Sequence, residues 1–224
     1  SHAAAYAMIT YQTAWLRAHY PHEFFSASMS LEINNTDKLA DFIIEVKSQN
    51  IQLKMPNINT SEVNFEVCED KHNGTHFIEY GLSAIKNVGA NATLDLTLER
   101  SKKGIFLSIE DFSRRLPSSM MNKRMLEHLI KAGALDCLNK NRKKLLFSID
   151  NIISFCDMNK RESLSNQIKL FDIDEMENLK VRLLDVDDFS ISQKLKYEHS
   201  ALGLYLSSHP MDAFNGLIKN FDVT

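Results

Sequence analysis

The chain has 224 residues, of which 44% are hydrophobic and 25% are charged, and its net charge is −3. This hydrophobic content suffices for a core in one large domain or two small ones, and the low counts of 7 glycines and 4 prolines favour helices. Three widely spaced cysteines (Cys68, Cys137 and Cys156) exclude a disulfide framework and a CxxC zinc site, which indicates reduced thiols in a cytoplasmic protein.

Three helices are predicted in the first 55 residues. The segment from His2 to Tyr20 has apolar residues on more than one face, which predicts a helix that is largely buried. Pro21 suits the first turn of a second helix, which extends to about Ile33. Asn35 or Thr36 is the expected N-cap of a third helix, whose apolar face consists of Leu39, Phe42, Ile43 and Val46. The short connections predict an antiparallel bundle.

A β-hairpin follows, and the rest of the chain is predicted to be mostly helical. Apolar residues alternate on both sides of Asn73-Gly74, a pair that favours a tight turn with positive φ at both residues. Ser108 and Asn122 fit N-caps, and Gln193 stands in capping-box position to Ser190. Helices are expected at 83–86, 91–102, 108–115, 122–132, 142–158 and 190–206, with an exposed connector at 159–188. The predicted fold class is therefore mainly α with one small β-hairpin.

The middle of the chain is basic although the whole is acidic. Between Gly81 and Leu146 there are 13 Lys and Arg against 6 Asp and Glu, a net charge of +7, while the remainder has 13 against 23, or −10. Two short glycine turns lie in this basic segment, at Lys86-Asn87-Val88-Gly89 and at Ile130-Lys131-Ala132-Gly133. Positive charge around exposed backbone N–H groups is suited to gripping phosphates.

Paired helix–turn–helix units of this kind bind duplex DNA without reading its sequence. Free N–H groups of the turn and of the following helix N-terminus point at a phosphate, and Gly89 is expected to permit the geometry of the first turn. The alternative is that both glycines are ordinary helix C-caps beside a solvated basic face. The candidate DNA-binding residues are Lys86, Asn87, Val88, Gly89, Lys102, Lys103, Lys123, Arg124, Lys131 and Gly133.

Motifs in a fixed order along nearly the whole chain resemble the C-family replicative DNA polymerases, the alpha subunits of bacterial DNA polymerase III. Asn87 stands where the family usually has the first glycine of a Gly-hydrophobic-Gly turn, and Ser208 also replaces a usual glycine. Asn tolerates the left-handed conformation better than most residues, so we expect the first turn to persist. The matching motifs include Tyr11-Gln12-Thr13-Ala14-Trp15-Leu16, Gly81-Leu82-Ser83-Ala84-Ile85-Lys86-Asn87-Val88-Gly89, Leu129-Ile130-Lys131-Ala132-Gly133-Ala134-Leu135-Asp136 and Leu202-Gly203-Leu204-Tyr205-Leu206.

The resemblance implies a division of the chain into three regions. Residues 1–55 would end the fingers domain, 56–138 would hold the β-hairpin and tandem helix-hairpin-helix module, and 139–224 would form the clamp-binding region. It also implies a fragment of a Mg²⁺-dependent DNA-directed DNA polymerase whose catalytic carboxylates precede Ser1, so that the fragment alone is inactive and has no cofactor. Ser1 and His2 would face the incoming nucleotide, with helix capping or packing as the alternative. The implied partners are double-stranded DNA, the β sliding clamp and other polymerase III subunits in the cytoplasm, and no membrane.

The connector contains Gln167-Ile168-Lys169-Leu170-Phe171. This Gln-x-x-Leu-Phe pattern resembles the internal peptide with which the family binds the ring-shaped β clamp. Leu170 and Phe171 would fill an apolar pocket while the amide of Gln167 bonds at its edge. The alternative is that the two apolar side chains pin the connector to the rest of the protein.

Other chemistry-bearing residues are interpreted as structural. Asp172 and Asp174, like Asp185 and Asp187, have the spacing of paired carboxylates but lie in an acidic, unpatterned stretch, which indicates solvated connector charge. The uncharged stretch 3–16 has fourteen residues, too few to span a bilayer. The second candidate function is a non-catalytic helix-hairpin-helix module of DNA repair or recombination. The sequence leaves open whether the resembled polymerase is an essential replicase or a damage-tolerant relative.

Overall fold

The structure is a computed structural model that describes residues 2–117, 120–164 and 179–208. The mainly α fold is confirmed: the described residues form helices at almost every predicted place. The helices are α1 (His2–His19), α2 (Pro21–Leu31), α3 (Thr36–Ser48), α4 (Ala90–Lys103), α5 (Ile109–Arg115), α6 (Lys123–Lys131), α7 (Arg142–Phe147), α8 (Ile149–Leu164) and α9 (Ile191–Leu202), with a 3₁₀ turn at Leu82–Ala84.

The predicted hairpin is present, but it belongs to a three-stranded sheet. Strands β2 (Glu66–Glu69) and β3 (His76–Glu79) pair antiparallel, and β1 (Leu53–Lys54) adds to the other edge of β3 in parallel. The connection between β2 and β3 is also wider than a two-residue turn, because Asp70 N–H donates to Thr75 O. Only Gly74 of the predicted pair has a positive φ, of 69°, so the expected positive φ at Asn73 is wrong.

One cluster of buried side chains connects most of the elements. It includes side chains from α2 and α3, the sheet, the 3₁₀ turn and α4 to α9. The largest fully buried side chains among them are Tyr80, Phe25, Phe106 and Phe112, and they form the edge-to-face aromatic pairs Phe24–Phe25, Phe65–Tyr80 and Phe106–Phe112. The sheet and the helices around it therefore form a fixed support for the turns between the helices.

The expectation that α1 is largely buried is wrong. All its residues from Ala3 onward are exposed, and Tyr6, Met8 and Tyr11 expose 69%, 65% and 70% of their surface. The contacts of α1 concentrate near its end, where Arg17 pairs with Glu45 of α3 and lies over the Phe25 ring. An apolar pattern on several faces therefore predicted the helix correctly and its burial incorrectly.

Two further differences lie in the second half of the chain. The predicted helix 142–158 is broken at Ser148, whose N–H donates to Leu145 O and whose buried hydroxyl accepts the N–H of Leu184. Residues 179–190 are packed along the body, since Val181 is buried and its N–H donates to the carboxylate of Glu110. Most of residues 179–188 are exposed, as predicted for the connector, although Val181 anchors them to the body. Helix α9 ends at Gly203, with φ of 83°, before the predicted Leu206.

Among the described residues, no helix has both the length and the apolar character that crossing a membrane requires.

Candidate nucleic-acid interface

The first glycine turn joins the 3₁₀ turn to α4 and is open to solvent on one side. Lys86, Asn87 and Gly89 are exposed, whereas the side chain of Val88 is buried and anchors the turn in the core. Two backbone bonds hold its shape, from Val88 N–H to Ile85 O and from Lys86 N–H to Ala201 O at the end of α9. The turn thus presents a lysine and polar backbone outward from a fixed base.

The N-terminus of α4 has no side-chain cap. Gly89 is its N-cap residue, and no side chain accepts from the first-turn N–H groups of this 14-residue helix. The first N–H groups of a helix have no partner inside it, and their aligned dipoles attract an anion. Side chains do fill this position at five other helices of the described chain, through Asn35, Ser108, Asn122, Asn141 and Ser190.

The two critical positions of this turn have different roles from those predicted. Asn87 has φ of 61° and is the residue in the left-handed conformation, so the expectation that Asn replaces the usual glycine there is confirmed. Gly89 has φ of −70°, which any residue can adopt, and an added Cβ would meet nothing within 4 Å. The expectation that Gly89 permits the turn geometry is therefore wrong. The space beside Gly89 instead leaves the backbone accessible to an external group.

Helix α6 reaches the same turn through a residue that sequence reasoning missed. The ring of His128 contacts the Asn87 side-chain amide, with 2.9 Å between Nε2 and Nδ2, and its Nδ1 lies 2.8 Å from the carbonyl oxygen of Arg124. Arg124 is exposed on α6 one helical turn before His128, and Lys86 directly precedes Asn87 in the chain. The four-residue spacing of Arg124 and His128 was the available signal, but nothing local indicates their nearness to Asn87.

A cavity of about 390 Å³ borders the same turn. Lys86 and Gly89 line it on one side, and Asn34 and Thr36, at the start of α3, line it on the other. The cavity lies between the turn and α3, and the Lys86 ammonium lies close to Gly203 at the end of α9. The accessible surface around the turn is therefore larger than the loop alone.

The second glycine turn does not have the expected outward geometry. Gly133, with φ of 79°, is buried, and its N–H donates to Ile130 O while Ala134 N–H donates to Leu129 O. The guanidinium of Arg142 covers it, bonded to the Asp136 carboxylate at 2.7 Å. The alternative interpretation, an ordinary glycine C-cap, describes this turn, because a C-cap uses its amides inside the chain.

The charge of the basic segment is largely paired within the protein. Seven of its 13 basic side chains form ion pairs in the described chain: Arg100, Lys103, Arg115, Lys123, Lys131, Arg142 and Lys144. Three of these arginines also donate to backbone carbonyls, which fixes loops rather than leaving charge for a ligand. Lys86, Lys102 and Arg124 form no ion pair in the described residues.

The candidate DNA-binding residues thus lie in separate parts of the structure. Lys102 and Lys103 lie at the far end of α4, about 20 Å from its N-terminus for a helix of this length. Lys103 pairs with Glu99, and together with Arg115 it holds the pKa of that carboxyl below its usual range. Lys123, at the start of α6, pairs with Asp150 on the surface, a contact of little energy. Lys86, Asn87 and Gly89 in the turn, with Arg124 on α6 one helical turn before His128, are called here the Lys86 surface.

Several predicted site residues cannot be placed. Ser1 and the peptide residues Gln167, Leu170 and Phe171 lie outside the described residues, as do Asp172 and Asp174, and the His2 side chain is also not described. Asp185, of the other pair, bonds to the Lys144 ammonium at 3.0 Å. Within residues 2–117, 120–164 and 179–208, no three His, Cys, Asp or Glu side chains are grouped so that they could hold a metal ion.

Comparisons with known proteins identify the region and its relatives. The family described as helix-hairpin-helix motif matches residues 50–145, which include both turns. The DNA polymerase III subunit alpha of Xylella fastidiosa is 39% identical over 221 residues, covering 98% of this chain and 18% of that protein. The protein of the same name from Neisseria meningitidis serogroup A is 42% identical over 96% of this chain and 18% of its own length. The one from Thermus aquaticus is 39% identical over 97% of this chain and 17% of its own length.

These matches extend over nearly the whole chain, whereas the chain spans less than a fifth of the length of the three relatives. The helix-hairpin-helix match covers the segment that contains the Lys86 surface. The predicted resemblance is therefore confirmed: this chain is related to one segment of the DNA polymerase III alpha subunits, and that segment contains a helix-hairpin-helix motif.

Proposed function

We propose that this chain binds the phosphate backbone of duplex DNA at the Lys86 surface. The observation that supports this most directly is the combination at Gly89 of an uncapped helix N-terminus and free space where a Cβ would be. A phosphate oxygen can approach the first-turn N–H groups of α4 most closely because the N-cap residue has no side chain in its path. Lys86 and Arg124 add positive charge, and none of these groups reads a base.

In the whole protein, this contact would serve DNA synthesis during replication. The relatives are named DNA polymerase III subunit alpha, and we propose that the parent of this chain is likewise a DNA-directed DNA polymerase. The Mg²⁺-dependent chemistry would then lie in other parts of that polymerase, and this chain would not synthesise DNA by itself. A role of Ser1 and His2 at the incoming nucleotide stays a prediction.

The substitution Gly89→Ala tests the phosphate contact. The added methyl group fits the backbone conformation and meets no atom of the protein. The melting temperature should change little, because the lower entropy of the unfolded alanine chain offsets the poorer N-cap that alanine provides. Fluorescence anisotropy with labelled duplexes at low salt should show affinity about tenfold lower, as expected for a lost hydrogen bond to a charged group. The loss should be equal for duplexes of unrelated sequence.

Ser101→Ala serves as the control, because it changes one small exposed side chain at the opposite end of α4. It should bind DNA as the wild type does. Unchanged affinity of Gly89→Ala, with a wild type that binds, would contradict the phosphate contact, and a wild type without DNA binding at low salt would refute the function itself.

We further propose that the peptide Gln167–Phe171 binds the β sliding clamp, as its Gln-x-x-Leu-Phe pattern and the polymerase III relatives suggest. Leu170→Ala with Phe171→Ala should abolish binding to the ring in a pull-down, while the melting temperature stays nearly unchanged. The matched control is Ile168→Ala with Lys169→Ala, at the two variable positions of the same peptide. A large fall in the melting temperature would support packing of Leu170 and Phe171 against the protein instead.

If both attachments exist, they act together. A polymerase held by two weak contacts on one body loses one of them without dissociating, because the other keeps the effective concentration high.

A further inference from the structure

We propose that His128 is a positioning residue, which holds Asn87 in the left-handed conformation and so keeps the Lys86 surface in its DNA-binding form. Only the part of this inference that concerns DNA binding rests on the proposed function. His128 lies 41 residues beyond Asn87, on a different helix, and it is the direct side-chain link between α6 and the turn.

The hydrogen bonds of His128 indicate the tautomer of its neutral ring. The carbonyl oxygen of Arg124 can only accept, so Nδ1 must carry the proton in the 2.8 Å contact between them. In the neutral ring, Nε2 is then an acceptor, and it faces the Asn87 amide nitrogen at 2.9 Å. Asn87 therefore donates to a ring whose orientation is already fixed by the backbone of α6.

Helix α6 is a rigid base for this contact. Its N-terminus is capped by the Asn122 side chain, and Met125, Leu126, Leu129 and Ile130 are all nearly completely buried. The ring of His128 thus has a fixed position relative to the core. Asn87, by contrast, is exposed and stands in a loop, where its own contacts determine its conformation.

Asn87 needs such support because of its backbone. Its φ of 61° places it in the left-handed region, which glycine adopts freely and asparagine adopts at some cost. The bond to His128 offsets that cost by holding the Asn87 side chain in place. His128 and Asn87 together therefore do here what a glycine would do alone.

This pairing predicts a specific pattern among four full-length chains: wild type, His128→Ala, Asn87→Gly and the double variant. In anisotropy titrations with a duplex, His128→Ala should bind about fivefold more weakly, the typical size of one lost hydrogen bond. Asn87→Gly sets the reference affinity for the double variant, since glycine keeps the turn without support. In that background, His128→Ala should have no effect.

Two further measurements separate positioning from other roles. The dependence of affinity on salt should be unchanged in His128→Ala, because a neutral positioning residue contributes no phosphate contact. Hydrogen exchange of the Val88 amide, which bonds across the turn to Ile85 O at 3.1 Å, should become faster in His128→Ala and return to the wild-type rate in the double variant. His72→Ala, at an exposed histidine between β2 and β3, is the control and should change neither quantity.

Three outcomes would overturn the proposal: a weaker salt dependence, which would make His128 a direct phosphate contact; an effect of His128→Ala that persists with Gly at position 87; or an unchanged exchange rate at Val88. If the wild type binds no DNA, the proposed function fails, and the exchange rates alone decide whether His128 positions the turn.

Discussion

Replacing Gly133 by alanine tests whether the second glycine turn is part of the support or part of the DNA contact. The residue has φ of 79°, which costs a non-glycine residue about 1–2 kcal/mol. The added Cβ would also lie 2.2 Å from Nη2 of Arg142, so the guanidinium must move away from Asp136, to which Nη2 bonds at 2.7 Å. Loss of a hydrogen bond to a charged group adds about 1.5–3 kcal/mol. We therefore expect a loss of about 3–4 kcal/mol in the free energy of unfolding.

For a chain of this length, such a loss lowers the melting temperature by roughly 6–16 °C, which circular dichroism measures directly. In an Arg142→Ala background, Gly133→Ala should cost only the backbone strain of about 1–2 kcal/mol. DNA affinity per folded molecule should be unchanged. A melting temperature equal to that of the wild type would refute this reasoning, and weaker DNA binding at unchanged stability would return the second turn to the DNA interface.

Three shorter predictions concern charge, capping and a thiol. Lys86→Glu should weaken binding to every duplex and reduce the slope of log affinity against log salt by about 0.9, whereas the charge-matched Lys71→Glu, in the loop between β2 and β3, should do neither. Ser190→Ala removes the confirmed capping box of α9 and should cost about 1 kcal/mol of unfolding free energy in a denaturant titration. Burial is the main cause, and the charge of Glu79 the second, that raises the pKa of the Cys68 thiol from 9.0 to about 11. Alkylation of this thiol should therefore reach half its maximal rate near pH 11. A midpoint near pH 9 would contradict the burial.

The features that sequence reasoning predicted correctly are those with local causes. The N-caps at Asn35, Ser108 and Asn122 each accept from the backbone N–H three residues on, as their residue types indicate. The left-handed Asn87 also follows from a local preference of asparagine. Such interactions join residues within one turn of each other, so the sequence alone contains both partners.

The features that sequence reasoning missed depend on contacts between residues that are far apart in the chain. Strand β1 has only two residues, and its pairing with β3 joins Leu53 to Ile78. Gly133 was read as a DNA contact because the covering group, Arg142, belongs to another helix. His128 lacked any motif, and its partner Asn87 is 41 residues away. A pattern within one element cannot indicate which other element will pack against it, which is also why the exposure of α1 was unexpected.

The net charge of the basic segment is likewise a poor measure of the charge that is available to DNA. Its value of +7 counts side chains such as Arg100 and Arg142, which are committed to internal carboxylates and carbonyls. If only Lys86 and Arg124 neutralise phosphates, the slope of log affinity against log salt is about −1.8, whereas seven contacts would give about −6. A small slope means weak binding by the isolated chain, because counterion release supplies most sequence-independent affinity. A titration of the wild type between 50 and 200 mM salt distinguishes the two values, and a slope near −6 would show that basic side chains other than Lys86 and Arg124 also neutralise phosphates.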